Sequence, residues 1–417
     1  MVWRGRRMME RSIPRSGVAW LAPAVAAAAL ATPVAALLGP VAPLAAQEVP
    51  ERTLAKPSAT FPEGFARLSG LRELPDGRVM IADGLGQVVV IADLASGIAN
   101  TIGGEGQGPD EYLQPDGLFP LPGGATLLVD LGNGRLTAIA EDGAFGDTSP
   151  IAQPGGDGLL LVLPRATDED GRIYFQHMGG MRAGRGFPDS SAIVRWDRTA
   201  GAFDTVALVN LPDRKVDRSG SGNERSVRVQ PVPLSREDAW AVAGDGRVAI
   251  ARAGTEEGVY RVEWILPDGH VVRGAPATYR PAKVGAAEKE EWVANLSSNG
   301  LRVMITNDNG SMQANFSRGG SGRGTPDVDG FDWPDVLPPF AANAVDVAPD
   351  GSAWVTRQVP AGDAPLVDVF GLDGSLRARI RLPENCEVAG FGADAIYLVR
   401  TDELDFQWLE RYELPAL

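Results

Sequence analysis

Runs of five or six Val, Ile, Leu and Ala residues alternate along this chain with turns rich in Asp, Asn and Gly. Period-two alternation predicts strands, and short turn-residue pairs between such runs predict hairpins. Six times an apolar run follows a turn, usually of Asp-Gly type. The turns are Asp76-Gly77, Gly123-Gly124, Asp170-Gly171, Asp245-Gly246, Asp350-Gly351 and a looser Gly392-Ala393-Asp394. In the first unit the pattern predicts strands at 66–74, 78–82, 87–92 and 97–102. Later units fall at about 115–148, 159–211, 232–279, 340–383 and 387–414. The third has a wider turn between His177 and Pro188.

Six meanders of four antiparallel strands repeated along one chain predict an all-β fold, a six-bladed β-propeller. The sixth unit is one strand short, so residues 49–60 are expected to complete it and close the ring. Closure would remove two sheet edges that otherwise invite aggregation. Between units 4 and 5 lies an excursion, residues 281–339. It holds a predicted helix at 286–296, with Trp292 and Leu296 on one face. A strand at 301–306, a Gly-rich stretch at 319–324 and an acidic-aromatic segment at 327–333 follow. Long excursions of this kind cover one mouth of a ring and carry specificity. Residues 214–228, rich in Ser, Gly and Arg, are a second candidate for mobility.

The first 47 residues are set apart from the fold. Arg4, Arg6, Arg7, Arg11 and Arg15 precede an Ala/Leu/Val-rich run at 17–38 and the small-residue exit Leu44-Ala45-Ala46-Gln47. This is the order of an export signal cleaved near Ala46, and predicts a periplasmic or secreted domain at 48–417. A membrane anchor is the alternative, which Pro23, Pro33, Pro40 and Pro43 disfavour. Arg6-Arg7 leaves the choice between Sec and twin-arginine export open.

The whole chain carries a net charge of −15, and losing the basic leader makes it more acidic. Such a surface repels nucleic acid and anionic lipid, so neither a nucleic-acid partner nor membrane insertion after signal removal is expected. Cys386 is the sole cysteine. It is expected to be buried and to form no intrachain disulfide.

The stretch Leu128-Val129-Asp130-Leu131-Gly132-Asn133-Gly134-Arg135-Leu136, with Glu141-Asp142-Gly143 behind it, resembles an NHL-type repeat. The preceding glycine-rich segment from Gly103 to Pro115 resembles that family's inter-blade connection. The resemblance covers roughly residues 65–145. It implies an exported bacterial six-bladed propeller of the NHL-like or TolB-like group, which contains ligand-binding modules and proteins of no assigned activity. More distant six-bladed relatives include calcium-dependent lactonases and arylesterases, strictosidine-synthase-like proteins and a peptide-amidating lyase. Fold resemblance transmits none of those chemistries.

Equivalent positions at the end of each second strand are Asp83, Asp130, His177, Arg252, Arg357 and Arg400. In one reading, Arg252, Arg357 and Arg400 with Asp83 and Asp130 form a binding site for a small anionic ligand, since guanidinium groups hold carboxylate or phosphate bidentately. In the other, each charge caps its own blade. The first suits a ligand-binding or protein-interaction propeller with no cofactor, its partner a small anion or an envelope or secreted protein. The alternative is a calcium-dependent lactonase- or esterase-like hydrolase or lyase. It would draw oxygen ligands from Asp83, Asp130, Asn133 and Asn343, with His177 as the candidate base. Zinc-ligand spacing and a Gly-x-Ser-x-Gly nucleophile elbow are both missing from the sequence.

Overall fold

The computed structural model describes residues 49–54, 56–155, 158–177, 188–219, 226–299, 301–308, 311–318 and 327–416. The leader and the Gly-rich stretch at 319–324 lie outside the described residues. The fold is a six-bladed β-propeller of mainly antiparallel four-stranded sheets. Blade 1 is Leu68–Glu73, Val79–Asp83, Val88–Asp93 and Ile98–Ile102. Blade 2 is Pro115–Pro120, Thr126–Asp130, Arg135–Ile139 and Phe145–Pro150. Blade 3 is Pro164–Thr167, Ile173–Gln176, Ser190–Asp197 and Ala202–Asn210. Blade 4 is Ala239–Val242, Val248–Arg252, Val259–Ile265 and Val271–Arg273. Blade 5 is Val345–Val347, Ala353–Thr356, Leu366–Phe370 and Leu376–Arg381.

Blade 6 has three strands from the C-terminal end, Cys386–Phe391, Ala395–Thr401 and Gln407–Glu413. Its fourth is Ala59–Thr60, antiparallel to the last of them through Ala59–Arg411 and Thr60–Glu410. Glu51–Thr53 does something else. It lies parallel to the outer strand of blade 5, with Glu51 opposite Arg379. The N-terminal segment therefore ties two neighbouring blades together.

The turns between the first and second strands of a blade explain the recurring Asp-Gly. Gly77, Gly171, Gly246 and Gly351 have φ of 85°, 75°, 84° and 82°, a left-handed conformation that costs a β-carbon dearly. Where Asp precedes Gly, its side chain can accept from the backbone two residues on, as from Arg78 at 3.0 Å and Ser352 at 2.8 Å.

Apolar strand faces pack blade against blade. Among the described residues the buried apolar side chains fall into six clusters, one for each seam of the ring. The seam between blades 6 and 1 unites Tyr397 and Leu409 with Val79 and Ile81, and Phe61 and Phe65 fill it from the closing segment. Each buried aromatic here contributes about 1.5–3 kcal/mol of apolar burial.

Two boundaries differ from the sequence pattern. The apolar run at 158–162 reads as the start of blade 3, yet Gly158–Leu161 pairs with Ala152–Gly155 in a separate hairpin. Leu160 packs against the seam between blades 2 and 3, where Leu161 and Val162 are buried. Residues 214–228 carry the hairpin Arg214–Ser219/Ser226–Pro231.

The excursion begins and ends at one place, because Val284 donates to the Asp335 carbonyl and Leu337 to that of Ala282. Its helix runs Ala286–Asn299, and its hairpin pairs Leu301–Asp308 with Ser311–Arg318. Trp292 meets Phe331 at 5.2 Å and Trp333 at 5.6 Å, edge to face. Leu296 is 40% exposed, and Val293 is the buried apolar residue.

Candidate functional site

The strand-end charges are engaged within the fold. Asp83 is buried and accepts from the backbone N–H groups of Ala66, Arg67, Leu85 and Gly86 at 2.6–3.1 Å. Asp130 repeats this in blade 2, accepting from Leu113, Gln114 and Asn133, with Arg135 Nε 3.3 Å away. Asn133 donates its side-chain amide to Asp130 at 2.7 Å and to the Gly106 carbonyl. These acids clamp the chain entering a blade to the turn leaving its second strand.

The arginines are paired as well. Arg252 donates to Asp238 at 2.8 Å, to Glu263 at 3.1 Å and to the Leu208 carbonyl. Arg400 donates to Glu410 at 2.8 Å. Arg357, buried, donates to the Pro339 carbonyl and to Asp368, and its guanidinium lies 4.2 Å from the Tyr279 ring centroid. His177 holds blade 3 by its backbone, donating to the Ala192 carbonyl and accepting from the Ser191 hydroxyl. The matching register therefore yields charges spent on their own and adjoining blades, and of this set Arg357 alone lines the mouth cavity described next.

That cavity, of about 380 Å³, lies where the helix meets blades 5 and 6. Asp346 of the inner strand of blade 5, Glu387 of the inner strand of blade 6, and Glu291 and Trp292 of the helix line it. Asn343, Thr356 and the turn from Arg357 to Pro365 complete the wall. Glu288 fixes the helix over it, accepting from Gly285 at the helix start and from Ala361 of that turn at 2.8 and 3.1 Å. These bonds, Ala361's first, hold Glu288 below the usual carboxylate range.

Inside the ring the electrostatics are unusual. Arg165, on the inner strand of blade 3, reaches the Ala342 carbonyl ahead of blade 5 at 3.2 Å and stacks 4.8 Å from the Trp240 ring centroid. Burial disfavours its charge, while Asp346 and Glu237 support it. Burial pushes both Asp346 and Glu237 up to about 7, and Arg165 opposes the rise in each. Glu387 is raised by desolvation and then by the neighbouring Glu291 carboxylate. Two carboxylic acids poised near neutrality thus lie beside a buried arginine, their shifts set by burial against its charge.

No protein-family model matches the chain, and no curated protein matches it. Solved structures of similar fold include a member of the DUF4221 family from Bacteroides vulgatus, 11% identical over 88% of this chain and 98% of that one, with a TM-score of 0.45. The PQQ-bound aldose sugar dehydrogenase from Streptomyces coelicolor is 13% identical over 86% and 97%, TM-score 0.40. Virginiamycin B lyase from Staphylococcus aureus is 12% identical over 86% and 88%, TM-score 0.36. At these identities the likeness is one of fold.

Among the described residues no group of three or more His, Cys, Asp or Glu side chains is placed to hold a metal ion. Asp83 spends its carboxylate on the backbone, Asp130 and Asn133 spend their polar groups on each other and on the backbone, and Asn343 stands apart from them on the cavity wall. Cys386 is buried, and burial pushes its thiol up to about 11. Sequence reasoning missed Arg165, Glu237, Asp346, Glu291 and Glu387. The available signal was a charge inside or beside an otherwise apolar inner strand, as in Val345-Asp346-Val347.

Proposed function

We propose that this chain is an extracytoplasmic ligand-binding propeller whose site is the mouth cavity beneath the helix. The observation that carries the reading is the charge of the wall. Five acidic residues, Glu288, Glu291, Asp346, Asp363 and Glu387, line it with one basic residue, Arg357, already paired with Asp368. Such a wall suits a small organic cation, with Trp292 offering an aromatic surface. The sequence alone pointed to an anion, and the arginines that suggested it have carboxylate partners. Export rests on the arginine-rich leader and its apolar run.

The test is a thermal-shift screen of small amines, amino sugars, neutral sugars and carboxylates, followed by calorimetry on the hits. Amine hits weakened at least tenfold by Glu387→Gln or Glu291→Gln support the reading. Hits confined to carboxylates, or unchanged in both variants, oppose it.

A second reading, a hydrolase or lyase, is favoured by Asp346, a cavity carboxylate that titrates near neutrality as a general base should. Asp346 is suited to take a proton from an attacking water or from a carbon beside a carbonyl. Among the described residues the donor set does not fit calcium. Turnover of any ester or lactone that survives Asp346→Asn unchanged would remove this reading.

A further inference from the structure

We infer that the outer side of the blade 5 turn carries a second binding site, a cleft for a small carboxylate or phosphoryl group at the seam between blades 4 and 5. The cleft encloses about 420 Å³, and its wall includes Thr278, Tyr279, Arg280, Arg357, Gln358 and Arg379. It shares Arg357, Gln358, Val359 and Pro360 with the mouth cavity, so the two lie on either side of one chain segment.

The charge balance sets this cleft apart. Asp368, fully buried, accepts from Arg357 Nη1 at 3.2 Å, Arg379 Nε at 3.1 Å and the Tyr260 hydroxyl at 2.5 Å. One carboxylate thus faces two guanidinium groups. Glu51 on the rim is taken by Arg381 at 2.7 Å. Arg280, exposed, adds a further positive charge and has no hydrogen bond or ion pair to any described residue. On a chain of net charge −15, a cleft with surplus arginine is a local exception, and guanidinium groups favour planar or tetrahedral oxyanions.

The donors are also held in place. The Arg357 guanidinium lies 4.2 Å from the Tyr279 ring centroid and is bonded to the Pro339 carbonyl. Arg379 is fixed by Asp368 and by the Thr278 carbonyl at 3.1 Å. These bonds use Nε and Nη1 of Arg357 and Nε and Nη2 of Arg379. Each arginine keeps one terminal nitrogen without a hydrogen bond to any described residue. The Tyr279 hydroxyl is buried with no hydrogen-bond partner. A hydroxyl cut off from water and left unpaired calls for an explanation. Tyr279 lines the cleft, and an oxygen bound there would supply the missing partner once the ring shifts to meet it.

The experiment is calorimetric titration of the full chain, at low salt and neutral pH, with inorganic phosphate and separately with succinate. Wild type, Arg280→Gln, Tyr279→Phe and Arg273→Gln are compared, the last an exposed arginine outside the cleft. The inference predicts saturable binding of at least one probe, weakened about tenfold by Arg280→Gln, as loss of a charged hydrogen bond implies. Tyr279→Phe should weaken binding several-fold without lowering the melting temperature, since its hydroxyl has no protein partner to lose. Arg273→Gln should bind as wild type does. Phosphate but not succinate would identify a phosphoryl site, and the reverse a carboxylate site. Absence of saturable binding of both probes at millimolar concentration, or equal affinity in wild type and Arg280→Gln, would overturn the inference. Glu387→Gln, in the mouth cavity, should leave anion affinity intact, which separates this site from the one proposed above.

Discussion

Replacing Asp346 by Asn should make the protein more stable at pH 8, by a margin that shrinks to less than half as the pH falls to 5. The carboxyl titrates near 7 in the folded ring against an ordinary 3.8. Between roughly pH 4 and 7 the native protein therefore keeps a proton that the unfolded chain releases, so stability falls as pH rises through that window. The full shift corresponds to about 4 kcal/mol at 1.36 kcal/mol per pH unit. Asp346 keeps contact with the cavity and, once ionised, supports Arg165, so about 2 kcal/mol is the realistic penalty at pH 8. A domain of this size unfolds with an entropy near 0.8 kcal/mol/K, so the variant should melt about 2–3 °C higher at pH 8. The assay is differential scanning calorimetry of both proteins at pH 5, 6, 7 and 8, read as the difference between them. General repulsion on an acidic surface cancels in that difference. A difference that stays flat across the series, or a variant less stable at pH 8, would refute the reasoning.

Two further outcomes follow from the same contacts. Asp83→Ala leaves four backbone donors without their acceptor and should cost about 2–4 kcal/mol in urea unfolding. Arg400→Ala, whose side chain is 38% exposed, should cost less than about 1 kcal/mol. Equal losses would contradict the assignment of Asp83 as a structural clamp. Deleting residues 49–60 removes the closing strand and Phe61's approach to its seam, and should broaden and lower the melting transition. An unchanged melt would mean that the ring does not need the closing strand.

The fold was legible because its determinants are local. Asp-Gly turns at fixed offsets and period-two apolar runs recur in each blade, and the missing strand of blade 6 pointed to residues 49–60. The boundary at 158–162 was misplaced because a seam-filling hairpin and an inner strand present the same apolar run. Register did bring Asp83, Asp130, Arg252, Arg357 and Arg400 to equivalent places. Sequence could not decide whether such charges face a ligand or their own blade, because the backbone donors around Asp83 and the carboxylate opposite each arginine come from other segments. The interior acids escaped notice for a related reason. Asp346 stands among apolar neighbours like any edge residue, and its raised pKa depends on burial by the rest of the ring. The helix was found, but its buried partner is Val293 instead of Leu296, since Trp292 turns toward Phe331 and Trp333.

The most direct test of the account is a crystal structure of the full chain soaked with the tightest-binding amine from the ligand screen. Density for that molecule between Asp346, Glu387 and Trp292, under the helix, is the predicted result. Density elsewhere on the ring, with the space beneath the helix filled by solvent alone, would contradict it.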